Sequence, residues 1–267
     1  MKKMHFRLAL LLSTIFVFSS CTVKEKIVFN EDLSGEYIVE MDMANFMKEM
    51  KTMGGGSISS DKPGKVMDTT VNFNDLMTEF KDSLATLPEE RQLAIESLKD
   101  MYMTMQMDED KGIFLIGTGF IFNDIDDLKG IRDRINKARS LNDKDGQVES
   151  ITQNSPLEKF MGDQESDVLY NFTDNSFSRT TLIDDEKIKE LKELFKEVDS
   201  DDDEEMKGYF KESAYIVEIT FPKKIKSTSI KDAQISKDGK TISYKADWMN
   251  YITNPKLLDI DVEFIDE

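Results

Sequence analysis

Residues 101–122 read MYMTMQMDEDKGIFLIGTGFIF, and this stretch decides the fold. Its first seven residues alternate, with Met101, Met103, Met105 and Met107 on one side and Tyr102, Thr104 and Gln106 on the other. That two-residue period belongs to a β-strand with one buried face. Residues 108–112 (DEDKG) supply turn chemistry, and residues 113–122 are rich in β-branched and aromatic side chains that suit a second strand. The pair predicts an antiparallel hairpin. Upstream, Met77, Phe80, Leu84 and Leu87 keep helical spacing from Asn74 onward, and Pro88 opens a second helix that runs to about Lys99. Downstream, Asn123 can cap a helix whose Ile125, Leu128, Ile131, Ile135 and Ala138 form one stripe.

The same strand–strand–helix order recurs after a polar loop at residues 140–156. Residues 168–173 and 177–182 flank the turn Asp174-Asn175, and Ile188, Leu191, Phe195 and Val198 then form the inward stripe of a helix. No residue-level repeat accompanies this architectural one. Before the first unit, residues 35–43 alternate with Tyr37, Val39, Met41 and Met43 on one side, and Met43, Phe46, Met47 and Met50 continue at helical spacing up to Gly54. Residues 54–64 read as a loop, since the Lys-Ser/Thr and following helix of a phosphate cradle are missing. Four strands are expected to finish the chain, at 213–221, 227–235, 241–246 and 258–265, with a tight turn at Ser236-Lys237-Asp238-Gly239-Lys240. The expected fold class is α+β: mainly antiparallel sheet built from hairpins, with amphipathic helices packed on it. Its expected division is a signal at 1–20, a tether at 21–34, an α+β domain with ββα units at 35–200, and a β-rich segment at 201–267 continuing the same sheet.

The N-terminus carries addressing information. Lys2, Lys3 and Arg7 precede an uncharged apolar run at 8–18, the plan of a secretory signal. At 1.5 Å per residue the run reaches only about half of the roughly 30 Å hydrocarbon core, too short for a stable span. It ends in Phe18-Ser19-Ser20-Cys21, which resembles a bacterial lipobox. That resemblance implies a diacylglyceryl thioether on Cys21, which becomes the first residue of the mature chain. With the signal gone, 32 basic residues stand against 53 acidic ones, a balance of −21 compared with −18 for the whole 267-residue chain. Such a charge repels phosphate backbones, so nucleic acid is not an expected partner.

The chain has one histidine, His5, and one cysteine, Cys21. The mature protein is then expected to lack the parts for Ser-His-Asp and Cys-His catalysis, histidine zinc sites, paired-thiol redox chemistry and structural disulfides. Carboxylate chemistry remains open, as paired acids for glycoside hydrolysis or as oxygen ligands for hard cations. Residues 199–205 hold six acids in seven positions but no glycine to turn the chain, and a solvated loop is expected. Residues 141–146 (LNDKDG) imitate half of an EF-hand loop, yet Leu141 and Thr152 stand at the first and twelfth ligand positions. Met101, Met103, Met105 and Met107 would put four thioethers on one face, the soft ligands that Cu(I) selects. Methionine also fills irregular core gaps, and core packing is the expectation here. No cofactor is expected.

Near the C-terminus, residues 215–222 (YIVEITFP), the interval to Ala233, and residues 238–244 (DGKTISY) resemble the LppM-like domain of bacterial lipoproteins. There a strand ends at a proline and a Gly-Lys-Thr hairpin follows; Tyr244 stands where tryptophan is usual. The whole chain also resembles uncharacterised lipoproteins of Bacteroidetes-type bacteria. The resemblance implies an anchored, non-catalytic domain connected with lipid recognition, and brings no catalytic positions. The expected function is that of a lipid-anchored cell-envelope module that binds an envelope protein or an apolar ligand, held on the outer membrane facing the periplasm. A carboxylate-dependent envelope hydrolase is the competing class.

Overall fold

The computed structural model describes residues 22–44, 66–131, 134, 167–196, 210–211 and 213–266, with side chains to 193 in the helix 185–196. It is an α+β fold of two facing sheets. Twelve strands are described: β1 Thr22–Phe29, β2 Gly35–Asp42, β3 Val66–Asn72, β4 Met101–Asp108, β5 Ile113–Phe122, β6 Asp167–Phe172, β7 Ser176–Leu182, β8 Ala214–Thr220, β9 Ile225–Thr228, β10 Gln234–Ile235, β11 Thr241–Asp247 and β12 Ile260–Phe264. Eight form a large sheet in the order β10-β11-β8-β1-β2-β5-β4-β3, and four form a small sheet in the order β6-β7-β12-β9.

The hairpin of residues 101–122 is present as read: β4 and β5 pair antiparallel, with Met101 opposite Phe120 and Asp108 opposite Ile113. Its turn places Gly112 at φ 63°, where a side chain would be strained. The second hairpin, β6 with β7, and the helix Asp185–Lys196 are also present. So are the helices Phe73–Glu79, Lys81–Leu84 and Glu89–Glu96, the first capped by the Asn72 side chain on Asn74 N–H at 3.0 Å.

Several expectations are corrected. The tether expected at 21–34 is instead β1, a central strand that pairs antiparallel with β2 and parallel with β8. The alternation of Val23, Glu25, Ile27 and Phe29 inward is masked in sequence by a carboxylate at an inward position. β3 was not foreseen: Asp68, Thr69 and Thr70 interrupt its apolar pattern, and it is mostly exposed. The strand expected at 227–235 is two short strands in different sheets, β9 and β10, because Ser229–Ala233 leaves one sheet to reach the other. The segment 201–267 continues both sheets, with β8, β10 and β11 in the large one and β9 and β12 in the small one. The helix expected after Asn123 begins as a 3-10 turn at Ile125–Leu128 capped by Asp124, whose carboxylate and that of Asp127 close a reciprocal box. The helix expected at 43–50 is described only as far as Ala44, and the loop at 54–64, the stripe positions Ile135 and Ala138, the loop at 141–152, the acidic run at 199–205 and Cys21 lie outside the described residues.

The sheets meet through aromatic rings. Phe29 of β1 lies 5.4 to 5.6 Å from Phe122, Phe172 and Phe177, and Phe221 and Phe264 complete the cluster. Edge-to-face contacts dominate, the arrangement ring quadrupoles favour. A second cluster joins Phe210, Tyr215, Trp248 and Tyr251 where the helix Trp248–Thr253 covers the end of β8. Asp247 caps that helix by accepting from Asn250 N–H at 3.0 Å.

Candidate functional site

The small sheet covers only one half of the large one. On the inward face the strand register builds rows across β1, β2, β5, β4 and β3. One row runs Ile27, Tyr37, Phe120, Met101; the next runs Glu25, Val39, Thr118, Met103, Val71; the third runs Val23, Met41, Ile116, Met105, Thr69. A last row sets Phe114, Met107 and Met67 side by side. The four expected methionines do share one face. Only Met101 is core, at 1% exposed; Met105 and Met107 are half-buried and Met103 is 39% exposed, which corrects the expectation that all four pack inside. The reason is position: among the described residues β4 and β3 lie beyond the reach of the small sheet, so their inward face forms a half-exposed apolar limb.

The limb's upper end is tied down. Leu98, Met101 and its cross-strand neighbour Phe120 are buried, and the Arg134 guanidinium lies over the Phe120 ring at 4.2 Å while donating to the Ser97 carbonyl at 2.8 Å and to the Lys99 carbonyl. Asn74 and Asp100 clasp each other, Asn74 Nδ2 donating to Asp100 Oδ1 at 3.0 Å and Asp100 N–H to Asn74 Oδ1 at 3.1 Å. This joins the first helix to the start of β4. The helices of 73–96 do not close over the methionines; Phe80 and Leu93 are themselves exposed.

As a metal site the quartet is ill-shaped. Alternate residues of a strand stand about 6.6 Å apart, so four sulfurs spread over about 20 Å cannot converge on one ion. Among the described residues, no group of three or more His, Cys, Asp or Glu is placed to hold a metal.

The buried acids are occupied structurally. Glu25 of β1 receives Tyr215 Oη at 2.7 Å, Tyr170 Oη at 3.1 Å, Arg179 Nε at 3.3 Å and Arg179 Nη2 at 3.2 Å. Arg179 also donates to the Leu258 carbonyl at 3.2 Å. Burial, and then Glu25, push both tyrosine hydroxyls well above their ordinary range, whereas Glu25 holds Arg179 firmly protonated against burial. Asp108 is held below the usual carboxylate range by Lys111, which donates from Nζ at 2.7 Å and from N–H at 3.0 Å. On the outer face, Tyr102 lies across Gly119 and donates to Glu36 Oε1 at 2.5 Å; burial, Glu36 and Glu40 raise its hydroxyl.

Sequence reasoning found the methionines but missed β3 and the Glu25–Arg179 pair. A charged residue inside a strand alternation, as in Lys24-Glu25-Lys26, was the available signal for the pair.

No described helix is long and apolar enough to cross a membrane. No protein-family profile matches the chain, and no curated protein matches it. Among solved structures it is similar to the NMR structure of the folded domain of LppM from Mycobacterium tuberculosis, with a TM-score of 0.33 and 11% identity over 94% of this chain and 93% of that one.

Proposed function

We propose that the chain is a lipid-anchored cell-envelope protein that acts by binding rather than catalysis, and that the open limb of β3, β4 and β5 is its working face. The observation that carries this reading is that the inward apolar rows continue past the small sheet, leaving Met103, Met105, Met107, Ile116 and Phe114 partly exposed. Burying such surface stabilises a complex by about 25 cal/mol per Å² before the costs of association. The anchoring half rests on the basic start, the short apolar run and Cys21. Placement on the periplasmic side is supported by the absence of an acidic run in residues 22–27 (TVKEKI) directly after the cysteine.

A photo-crosslinking residue placed at position 103 in intact cells tests the reading, with position 245 on the outer face of β11 as control. A discrete adduct from 103 and none from 245 supports it. Equal adducts at both positions, or none at 103, would sink it.

A further inference from the structure

We propose that β3 is a docking edge that accepts an extended, basic strand of a partner protein, adding a ninth strand to the large sheet. The proposal rests on the limb being the working surface and names what engages it. Among the described residues β3 pairs only with β4, in an unbroken register from Val66 opposite Asp108 to Asn72 opposite Tyr102. Among the described residues nothing pairs with its other edge, to which alternate residues of the seven turn their backbone N–H and C=O groups. Exposed edges of this length are normally blunted by lysine, proline, a bulge or brevity. The opposite edge of the sheet, β10, has two residues. β3 (VMDTTVN) has one charge, Asp68, but no lysine, proline, glycine or bulge, and Val66 is 68% exposed.

Two further observations give the partner its chemistry. On the inward side Met67 and Val71 are half-buried beside Met107 and Met103, so an added strand continues the apolar rows if every second residue is apolar. On the outward side Asp68 is exposed and β3 carries no Lys or Arg; Asp75 and Glu79 follow on the next helix, and at the other end of the strand Lys111 is paired with Asp108. Opposite Asp68 a lysine or arginine is favoured. A second copy fits less well. Antiparallel β3–β3 pairing needs a two-fold axis perpendicular to the sheet, which sends the two chains' Thr22 ends in opposite directions, away from a shared membrane. It also sets a chain of net charge −18 against its equal.

The probe is the seven-residue peptide KVTVKVT, which in antiparallel register sets its three valines beside Val71, Thr69 and Met67 and its second lysine beside Asp68. Binding is measured with the full chain in nanodiscs, together with two versions N-methylated on alternate residues, one blocking each peptide edge. Strand addition requires that one methylated version loses affinity roughly tenfold or more and the other keeps it, since only one edge enters the ladder. Asp68→Lys is expected to reverse the preference, favouring EVTVEVT over KVTVKVT by roughly three- to tenfold. This surface variant keeps the fold, whereas Thr69→Pro, which should abolish binding, also endangers β4 pairing. Equal loss or equal retention for the two methylated peptides overturns the proposal. So does failure of KVTVKVT to bind while crosslinking from position 103 persists, which leaves the limb reading standing. A dimer in solution that Thr69→Pro dissociates would assign the edge to a second copy and overturn it as well.

Discussion

Glu25 of β1 and Arg179 of β7 bridge the two sheets through an ion pair at 3.2 Å, each side chain only 1% exposed. The pair is enclosed by hydrogen bonds from Tyr170 and Tyr215 to Glu25 and from Arg179 to the Leu258 carbonyl. Removing one partner leaves an isolated buried charge. Glu25→Leu and Arg179→Met are each expected to cost about 3 to 5 kcal/mol in urea unfolding, and the double replacement clearly less than their sum. Additive single effects would show that the pair is not coupled.

The same enclosure sets an alkaline limit. Tyr170, Tyr215 and Tyr244 are buried, and burial with Glu25 raises their folded pKa values above the unfolded value near 10. A raised folded pKa means that stability is fully present below pH 10 and is lost as pH climbs toward the folded values, because only the unfolded chain releases those protons. Each tyrosine contributes a slope of about 1.4 kcal/mol per pH unit in that window. Unfolding free energies measured from pH 8 to 11.5 should fall steeply above 10, and Tyr244→Phe should remove one such slope. A flat profile would show that these hydroxyls titrate in the folded protein.

What the sequence made legible follows from periodicity. β4 and β5 were readable because seven alternating residues, a turn and a ten-residue run rich in β-branched and aromatic side chains stand in unbroken order, and β7 because its apolar partners are local. β1 was not readable, since its inward Glu25 is compensated by Arg179, which lies 154 residues away. β3 was hidden because it is mostly exposed: only Met67 and Val71 are half-buried, and the exposed Thr69 between them breaks the apolar alternation. The methionines were located but misjudged: strand period identifies a face, not how far the opposing sheet extends over it.

That distinction gives a graded test along one strand. Met101→Ala removes a fully buried side chain and should cost about 2 to 5 kcal/mol, whereas Met103→Ala should stay within about 0.5 kcal/mol. Thermal and urea unfolding of both variants decide it. Equal losses would mean that the limb is covered in solution.

On the other side of the same hairpin, Gly119 has no space for a methyl group, because the Tyr102 ring occupies the place its Cβ would take. Gly119→Ala is expected to displace that ring, break its bond to Glu36 and cost about 1 to 3 kcal/mol. Combining it with Tyr102→Ala should recover part of the loss, since the clash disappears. Unfolding measurements on the three variants check the coupling; full additivity would place the cause elsewhere.

The last prediction concerns attachment. Cys21 is bonded directly to Thr22, the first residue of β1, whose neighbours across the sheet are Ala214 on β8 and, one residue on, Met41 on β2. The strand's pairing therefore starts at the residue after the cysteine, and the sheet does not depend on the lipid for any of its ladder. Each buried lipid methylene contributes about 0.8 kcal/mol, so two acyl chains hold firmly where one holds only marginally. Wild-type protein is expected in the detergent phase on partitioning, with acyl mass on its N-terminal peptide. Cys21→Ala should leave the protein without acyl mass while the thermal unfolding midpoint of the folded part stays within about 2 °C, since surface changes away from the core cost little. Wild-type protein recovered in the aqueous phase with an unmodified Cys21 would remove the anchor, and a large loss of stability in the variant would show that the lipid packs against the fold.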